Sequence, residues 1–497
     1  NHPPPKKKKL NSITRRWILE ARSRGRFENA AGVVCHACGS NYSHPALERT
    51  VLSPTKRSSS LSATRPNDVS ASDARRSGSH SESHSDPRIP VALIGGTGFV
   101  GRSVALSLLH HPQFRLGAVV GSASTAGKPF SAVFEKKEDA LAEHYGAELW
   151  KPQPFPVELL AERVRSVEEV IDAAALRVDS SSEGGGSDDQ PPGRVPRCPI
   201  ALSFIAPEHG EVEDQLAAAG IKVFSISPHA RFDPGNPLSV PEANPECLRV
   251  AVRESLEDPS RCSLSLVKSP NCVTCGVVLA LRALEERFGT IEEVAVTTFQ
   301  SLSGRGDAKY PRDAVLGNVY PLRGTVERTG EYQKLELRRI MPGVKRVSVA
   351  AYRVPVQKGH LVDVRVRLRT KPADARAVER AFTSFDPLAR VSLPSKPRRA
   401  IYVKPIDEAP TGEEGERPPP RIGTPRPKDD HEYDGGMSVC VGNIDVDDEL
   451  FDVSFCLVVN NVVRGAWGAA LLNAEYWHAL MTKEKEKRKK ADDSDSD

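Results

Sequence analysis

The chain has 497 residues, enough for two or three domains, and a net charge of only +4 that is unevenly spread. Residues 1–88 hold sixteen Lys/Arg and seven Asp/Glu, a balance of +9 that leaves −5 for the rest. The basic excess therefore belongs to a tail, and no aromatic residues alternate with it as a single-strand stacking surface requires, which excludes nucleic-acid binding. Nine cysteines in this length make no disulfide scaffold, and no apolar run is long enough for a membrane span or a secretory signal.

Residues 1–88 read as an appendage. They open on Pro-Pro-Pro-Lys-Lys-Lys-Lys and run into Ser/Arg/His-rich sequence that is poor in acids. That composition fits an organelle transit peptide and an unfolded tail equally, so the expected compartment is cytoplasmic or plastid. Order begins at Ile89. Residues 89–94 read as a buried strand, followed by a glycine turn and by Val100, Val104 and Leu108 at helical spacing. Further alternation follows: strands at 116–120, 201–206 and 223–226, and a helical face at 212–219. This is the pattern of an α/β doubly wound, Rossmann-type parallel sheet. Residues 178–196, rich in Ser, Gly and Pro, read as a looped-out insertion.

From Cys272 the character changes. Val277, Val278, Leu281, Leu284 and Phe288 form one apolar stripe of a helix starting near Cys275. Strands are expected at 294–299, 347–354 and 361–368, with a helix at 373–382. These compose a second, α+β domain on a mostly antiparallel sheet. Residues 408–434 read as irregular, 452–459 as a strand and 465–480 as a helix. The charged end, 483–497, reads as a solvated, disordered tail.

Gly95-Gly96-Thr97-Gly98-Phe99-Val100-Gly101 places glycines between a strand and a helix. There the backbone can approach a pyrophosphate, and the helix start offers free N–H groups and a positive dipole end. Gly95, Thr97, Gly98, Phe99 and Val100 are therefore cofactor-binding candidates. The second strand carries no acid at its end. It runs into Gly121-Ser122-Ala123-Ser124-Thr125-Ala126-Gly127-Lys128, where Ser122, Thr125 and Lys128 suit a 2′-phosphate, so NADP is the expected cofactor.

Ser269-Pro270-Asn271-Cys272-Val273-Thr274-Cys275 lies at a helix start, where the dipole favours a thiolate. Cys272 is the candidate nucleophile. Cys272 and Cys275 also form C-x-x-C, as do Cys35 and Cys38. Neither pair has the further ligands that zinc needs, so no metal is expected, while a redox pair at 272 and 275 stays open. Arg353-Val354-Pro355-Val356-Gln357-Lys358-Gly359-His360 joins two strands. The arginine can clamp a carboxylate and the histidine can pass a proton, although from these residues alone a surface arginine and a satisfied histidine are the favoured reading.

Together these segments resemble the aspartate-semialdehyde dehydrogenase family, in its archaeal and fungal branch. The anchors are Gly-Gly-Thr-Gly-Phe-Val-Gly (95–101), Thr-Ala-Gly-Lys (125–128), Ser-Pro-Asn-Cys (269–272), Gln300-Ser-Leu-Ser-Gly304, Arg353 with His360, Gly436-Met437 and Asn461-Val-Val-Arg-Gly-Ala-Trp-Gly-Ala-Ala-Leu-Leu-Asn-Ala-Glu475. The resemblance implies NADPH-dependent reduction of 4-aspartyl phosphate to aspartate semialdehyde through a cysteine thioester, in lysine, threonine and methionine synthesis. It gives Cys272 the nucleophile's place, His360 the acid/base place and Gln300 a substrate-orienting place. Arg353 matches the carboxylate-binding arginine, Arg231 the arginine near the phosphate, and Asn461 a contact at the nicotinamide end. Glu331 and Lys334 are candidates for a family Glu/Lys pair, though their local spacing departs from the pattern. Ser124 stands where an arginine is frequent, and Trp467 where a small residue is.

The resemblance further implies a discontinuous cofactor domain, 89–270 with 456–482, around a catalytic and dimerisation domain, 271–455. It also implies a homodimer or homotetramer acting on small molecules, with no nucleic acid and no membrane. Rival readings are a paralogous acyl reductase, acting on malonyl-CoA or N-acetylglutamyl phosphate, or a catalytically silent scaffold relative.

Overall fold

The short apolar runs after residue 88 become strands because both of their faces are covered, as continuous burial along them requires. In the computed structural model, which describes residues 86–175, 195–257, 265–304, 310–323, 328–404, 423–446 and 449–494, the first sheet has six parallel strands. They are β1 (Ile89–Ile94), β2 (Phe114–Val120), β3 (Val164–Arg165), β4 (Ile200–Ser203), β5 (Lys222–Ser225) and β6 (Leu266–Lys268), in the order β3-β2-β1-β4-β5-β6. Between them run α1 (Phe99–Leu109), α2 (Phe130–Tyr145), α3 (Val167–Ala175), α4 (Glu211–Ala218) and α5 (Glu246–Glu257). The strand order reverses at β1, and in such sheets ligands bind outside the carboxyl ends of the strands at that point. The glycine turn follows β1 there.

The second sheet has seven strands. In chain order, α6 (Cys272–Phe288), β7 (Ile291–Gln300), β8 (Tyr320–Pro321), α7 (Thr329–Ile340), β9 (Arg346–Arg353) and β10 (His360–Leu368) come first. Then follow α8 (Ala375–Thr383), β11 (Ile401–Val403), β12 (Val439–Asp445) and β13 (Val453–Val459). The order is β11-β12-β13-β10-β7-β9-β8. Four of the six pairings are antiparallel, so the expected mostly antiparallel sheet is present, with β7–β9 and β11–β12 parallel. The stripe Val277, Val278, Leu281 and Leu284 packs on the inner residues Val294, Val296, Val362, Val364 and Phe455.

The last described element is α9 (Gly468–Ser494), which begins after a π-turn at Val463–Trp467. Ala470, Leu471, Leu472, Ala474 and Tyr476 of α9 bury into the core of the first sheet, with Leu93, Phe114 and Phe224. Two expectations are corrected. The helix expected at 465–480 continues to Ser494, so residues 483–494 are an exposed helical extension, supported by the Lys487–Glu484 pair. The helix expected near Cys275 begins at Cys272, three residues earlier, because the Asn271 side chain caps it by accepting the Val273 N–H. Residues 1–85, with the Cys35/Cys38 pair, most of the 178–196 insertion and residues 408–422 lie outside the described residues.

Candidate active site

Cys272 is the first residue of α6, so its sulfur stands at the positive end of a long helix. Its Sγ lies 3.2 Å from His360 Nε2. His360 opens β10 and is fully buried. The backbone N–H of Ser301 donates to His360 Nδ1 at 3.0 Å, and the Ser301 hydroxyl lies 3.1 Å from the same nitrogen. A ring nitrogen that accepts an N–H carries no proton, so the neutral imidazole holds its proton on Nε2, facing the sulfur. Burial and the nearby Arg353 charge hold His360 well below the usual histidine range. Burial pushes the Cys272 thiol up to about 11, with Arg353 and the Val273 N–H acting in the other direction. In the resting site, therefore, a thiol faces a neutral imidazole.

Arg353 ends β9 beside Gln300, which ends β7, because the two are register partners. Both are buried. Arg353 Nη1 donates to the Ser301 carbonyl at 2.7 Å, and its guanidinium lies over the Tyr310 ring at 5.0 Å. Gln300 donates from Nε2 to Thr298 Oγ1 at 3.1 Å. Gly304 lies against this group: a Cβ there would stand 2.9 Å from Arg353 Nη1 and 3.0 Å from His360 Cε1. A side chain at position 304 would therefore press on both of these groups.

On the other side of Cys272, buried Arg231 pairs with Glu336 of α7 at 2.7 Å. Glu336 also accepts from the Asn271 N–H at 3.0 Å and from Thr274 Oγ1 at 2.6 Å, which ties the arginine to the first turn of α6. The structure does not bring Glu331 into this group. Glu331 is exposed and Lys334 half-buried, and the turn of α7 that meets the site presents Gln333 and Glu336 instead. Gln333 donates to Asn271 Oδ1 at 2.9 Å. Asn461 is buried beneath His360, with its amide oxygen accepting the Gly359 N–H at 2.9 Å and the Ser301 hydroxyl at 3.2 Å. Its contacts in the structure thus hold the His360 loop. Ser301 and Gly304 lay inside the Gln300–Gly304 anchor without an assigned role, and Tyr310, Gln333 and Glu336 had no sequence signal that we read, but the Pro-Asn pair before an apolar helix was a usable cap signal for Asn271.

At the glycine turn, Gly95 has φ +70, and a Cβ on Gly101 would stand 2.5 Å from the Gly95 carbonyl oxygen. Gly98 precedes α1, whose N-terminus receives no side-chain cap. The glycines therefore bring α1 close under β1 with free N–H groups, which fits a dinucleotide pyrophosphate. Thr97 is buried, and Phe99 packs edge-on to Trp150 at 5.3 Å. Val100 is half-buried on the same cluster, which includes Leu302, Tyr310 and Val462. The turn and the catalytic loops thus share one apolar contact. In the second loop, Ser122 Oγ lies 2.9 Å from Ser124 Oγ, Thr125 donates to the Ser122 carbonyl at 3.0 Å, and Lys128 Nζ donates to the Ser124 carbonyl at 2.7 Å. Among the described residues, no group of three or more His, Cys, Asp or Glu could hold a metal ion, and no helix is long and apolar enough to cross a membrane.

Residues 281–464 match the family model described as semialdehyde dehydrogenase, dimerisation domain. The chain is 31% identical over 409 residues to the aspartate-semialdehyde dehydrogenase of Cryptococcus neoformans, covering 78% of this chain and 96% of that one. It is 30% identical over 404 residues to that of Archaeoglobus fulgidus, covering 80% and 99%. Its fold is similar to the crystal structure of aspartate semialdehyde dehydrogenase with NADP from Candida albicans, with a TM-score of 0.60, 23% identity and coverage of 79% and 99%.

Proposed function

The chain belongs to the aspartate-semialdehyde dehydrogenase family, and we propose on that premise that it reduces 4-aspartyl phosphate to aspartate semialdehyde with NADPH, releasing phosphate. The observation that carries this reading is the Cys272 sulfur at a helix N-terminus, 3.2 Å from His360 Nε2 and flanked by Arg353 and Arg231.

In this mechanism Arg353 binds the α-carboxylate by its fork of donors, and Gln300 orients the substrate beside the sulfur. Arg231 binds the phosphate, exchanging part of its contact with Glu336. Cys272 loses its thiol proton to solvent and the thiolate attacks the acyl carbon; the acyl–oxygen bond breaks, and phosphate leaves with the electron pair and takes a proton from solvent. When bound, the dinucleotide would supply the hydride that reduces the resulting thioester. His360 Nε2–H donates a hydrogen bond to the oxyanion of the thiohemiacetal. The carbon–sulfur bond then breaks, which frees the aldehyde and returns the thiolate to the same N–H. Asn461 and Ser301 fix the ring so that this proton always faces the sulfur. Gly95, Thr97, Gly98, Phe99 and Val100 hold the dinucleotide pyrophosphate, while Ser122, Thr125 and Lys128 hold the 2′-phosphate.

The outer face of the second sheet carries Phe299 and Tyr352 stacked at 6.0 Å and only half-buried, which suits a homodimer contact. The test of the reading is the reverse reaction followed at 340 nm with aspartate semialdehyde, phosphate and NADP. Phosphate-dependent NADPH formation supports it. A folded protein that binds NADP but is silent here and active on malonyl-CoA overturns it.

A further inference from the structure

Lys137 lies in α2, in a run of Glu, Lys and Asp that reads as a plain solvated face. In the fold it is half-buried, and its ammonium reaches the glycine turn, with Nζ 3.3 Å from Thr97 Oγ1. Among the described residues, no carboxylate pairs with it. The neighbouring acid, Glu138, is fully engaged elsewhere: it pairs with Arg102 at 2.8 Å and accepts from Trp150 Nε1 and the Gln153 N–H, each at 3.2 Å. Arg102, from α1, adds a second cation to the same small volume. Two cations thus face one carboxylate beside the uncapped start of a helix.

An ammonium withdrawn from water without a counter-charge is unfavourable, and burial together with the Arg102 charge lowers its pKa. An anion seated on the turn removes that imbalance. Resting on the dinucleotide reading above, we propose that Lys137 binds the pyrophosphate of the dinucleotide, supplying the full positive charge that the glycine turn and the α1 N–H groups lack. The pyrophosphate is favoured over the 2′-phosphate because the lysine's partner, Thr97, lies inside the turn between Gly95 and Gly98. The second loop has its own cation in Lys128.

The test is the affinity of Lys137→Met for NADPH, NADH and ADP-ribose, measured by calorimetry and dinucleotide fluorescence on the full chain without substrate. Methionine keeps the apolar stem and removes the charge. A charged hydrogen bond of this kind predicts affinity losses of roughly 10- to 100-fold for all three ligands. Lys137→Arg is expected to recover most of the loss, and the unliganded melting temperature of Lys137→Met is expected to be unchanged or higher. Equal affinities in variant and wild type overturn the proposal, and a loss confined to NADPH overturns it in favour of the 2′-phosphate. A loss accompanied by a lower unliganded melting temperature and no rescue by arginine makes the residue structural, which also overturns it. A wild type that binds none of the three instead sinks the dinucleotide reading itself.

Discussion

The backbone N–H of Ser301 points at Nδ1 of His360 from 3.0 Å, and this places the imidazole's single proton on Nε2, towards Cys272 Sγ. A second proton on the ring would bring an N–H against an N–H, and both burial and Arg353 already oppose it. No resting thiolate–imidazolium pair is expected. With the thiol pushed up to about 11, the thiolate fraction rises with pH across the whole neutral range. The rate of Cys272 alkylation by iodoacetamide should therefore climb about tenfold per pH unit from 7 to 9. A plateau extending below pH 7 would show an ion pair and contradict this assignment.

His360→Asn keeps a polar group near the sulfur but removes the aligned Nε2–H. We expect kcat to fall by about 10²- to 10³-fold, with a much smaller change in KM for aspartate semialdehyde. Steady-state kinetics in the reverse direction measure this split, and a change confined to KM would assign the ring to binding.

The two arginines should separate by substrate. Arg353→Lys loses the planar fork and is expected to raise KM for aspartate semialdehyde by roughly 10- to 100-fold. Arg231→Lys should raise KM for phosphate instead. If both variants shift the same constant, the assigned roles are wrong.

Much of this arrangement was legible in the sequence, for reasons that differ by element. The first sheet was readable because β1 is a continuous apolar run and β2 and β5 carry short apolar stretches at 118–120 and 223–224, and β10 because it alternates strictly. Cys272 was singled out by its place at a helix start, whereas Arg353 and His360 took their roles only from the family resemblance. Glu336 was missed because α7 carries charges at 331, 334, 336, 338 and 339, and only the packing against α6 selects one of them. Ser301 acts largely through its backbone N–H and carbonyl, which no residue identity advertises. The helical extension to Ser494 was missed because a charged run reads as a tail unless its i,i+3 pairs are counted.

Two substitutions test the packing that holds the nucleophile. A Cβ on Gly465 would stand 2.4 Å from Cys272 Cβ and 2.7 Å from its Cα, so Gly465→Ala must displace the start of α6. Stability should fall by about 1–3 kcal/mol, with loss of activity. Glu336→Gln leaves Arg231 buried without its counter-charge and should cost about 3–5 kcal/mol in urea unfolding. A neutral result for Glu336→Gln would mean that Arg231 reaches solvent.

The central claim is that substrate passes through a thioester on Cys272. The direct measurement is a rapid-mixing experiment with aspartate semialdehyde and NADP but no phosphate, followed by peptide mass spectrometry. The account predicts a burst of NADPH stoichiometric with active sites, an aspartyl adduct on the peptide carrying Cys272, and its release when phosphate is added. Phosphate-dependent turnover with neither burst nor adduct would contradict it.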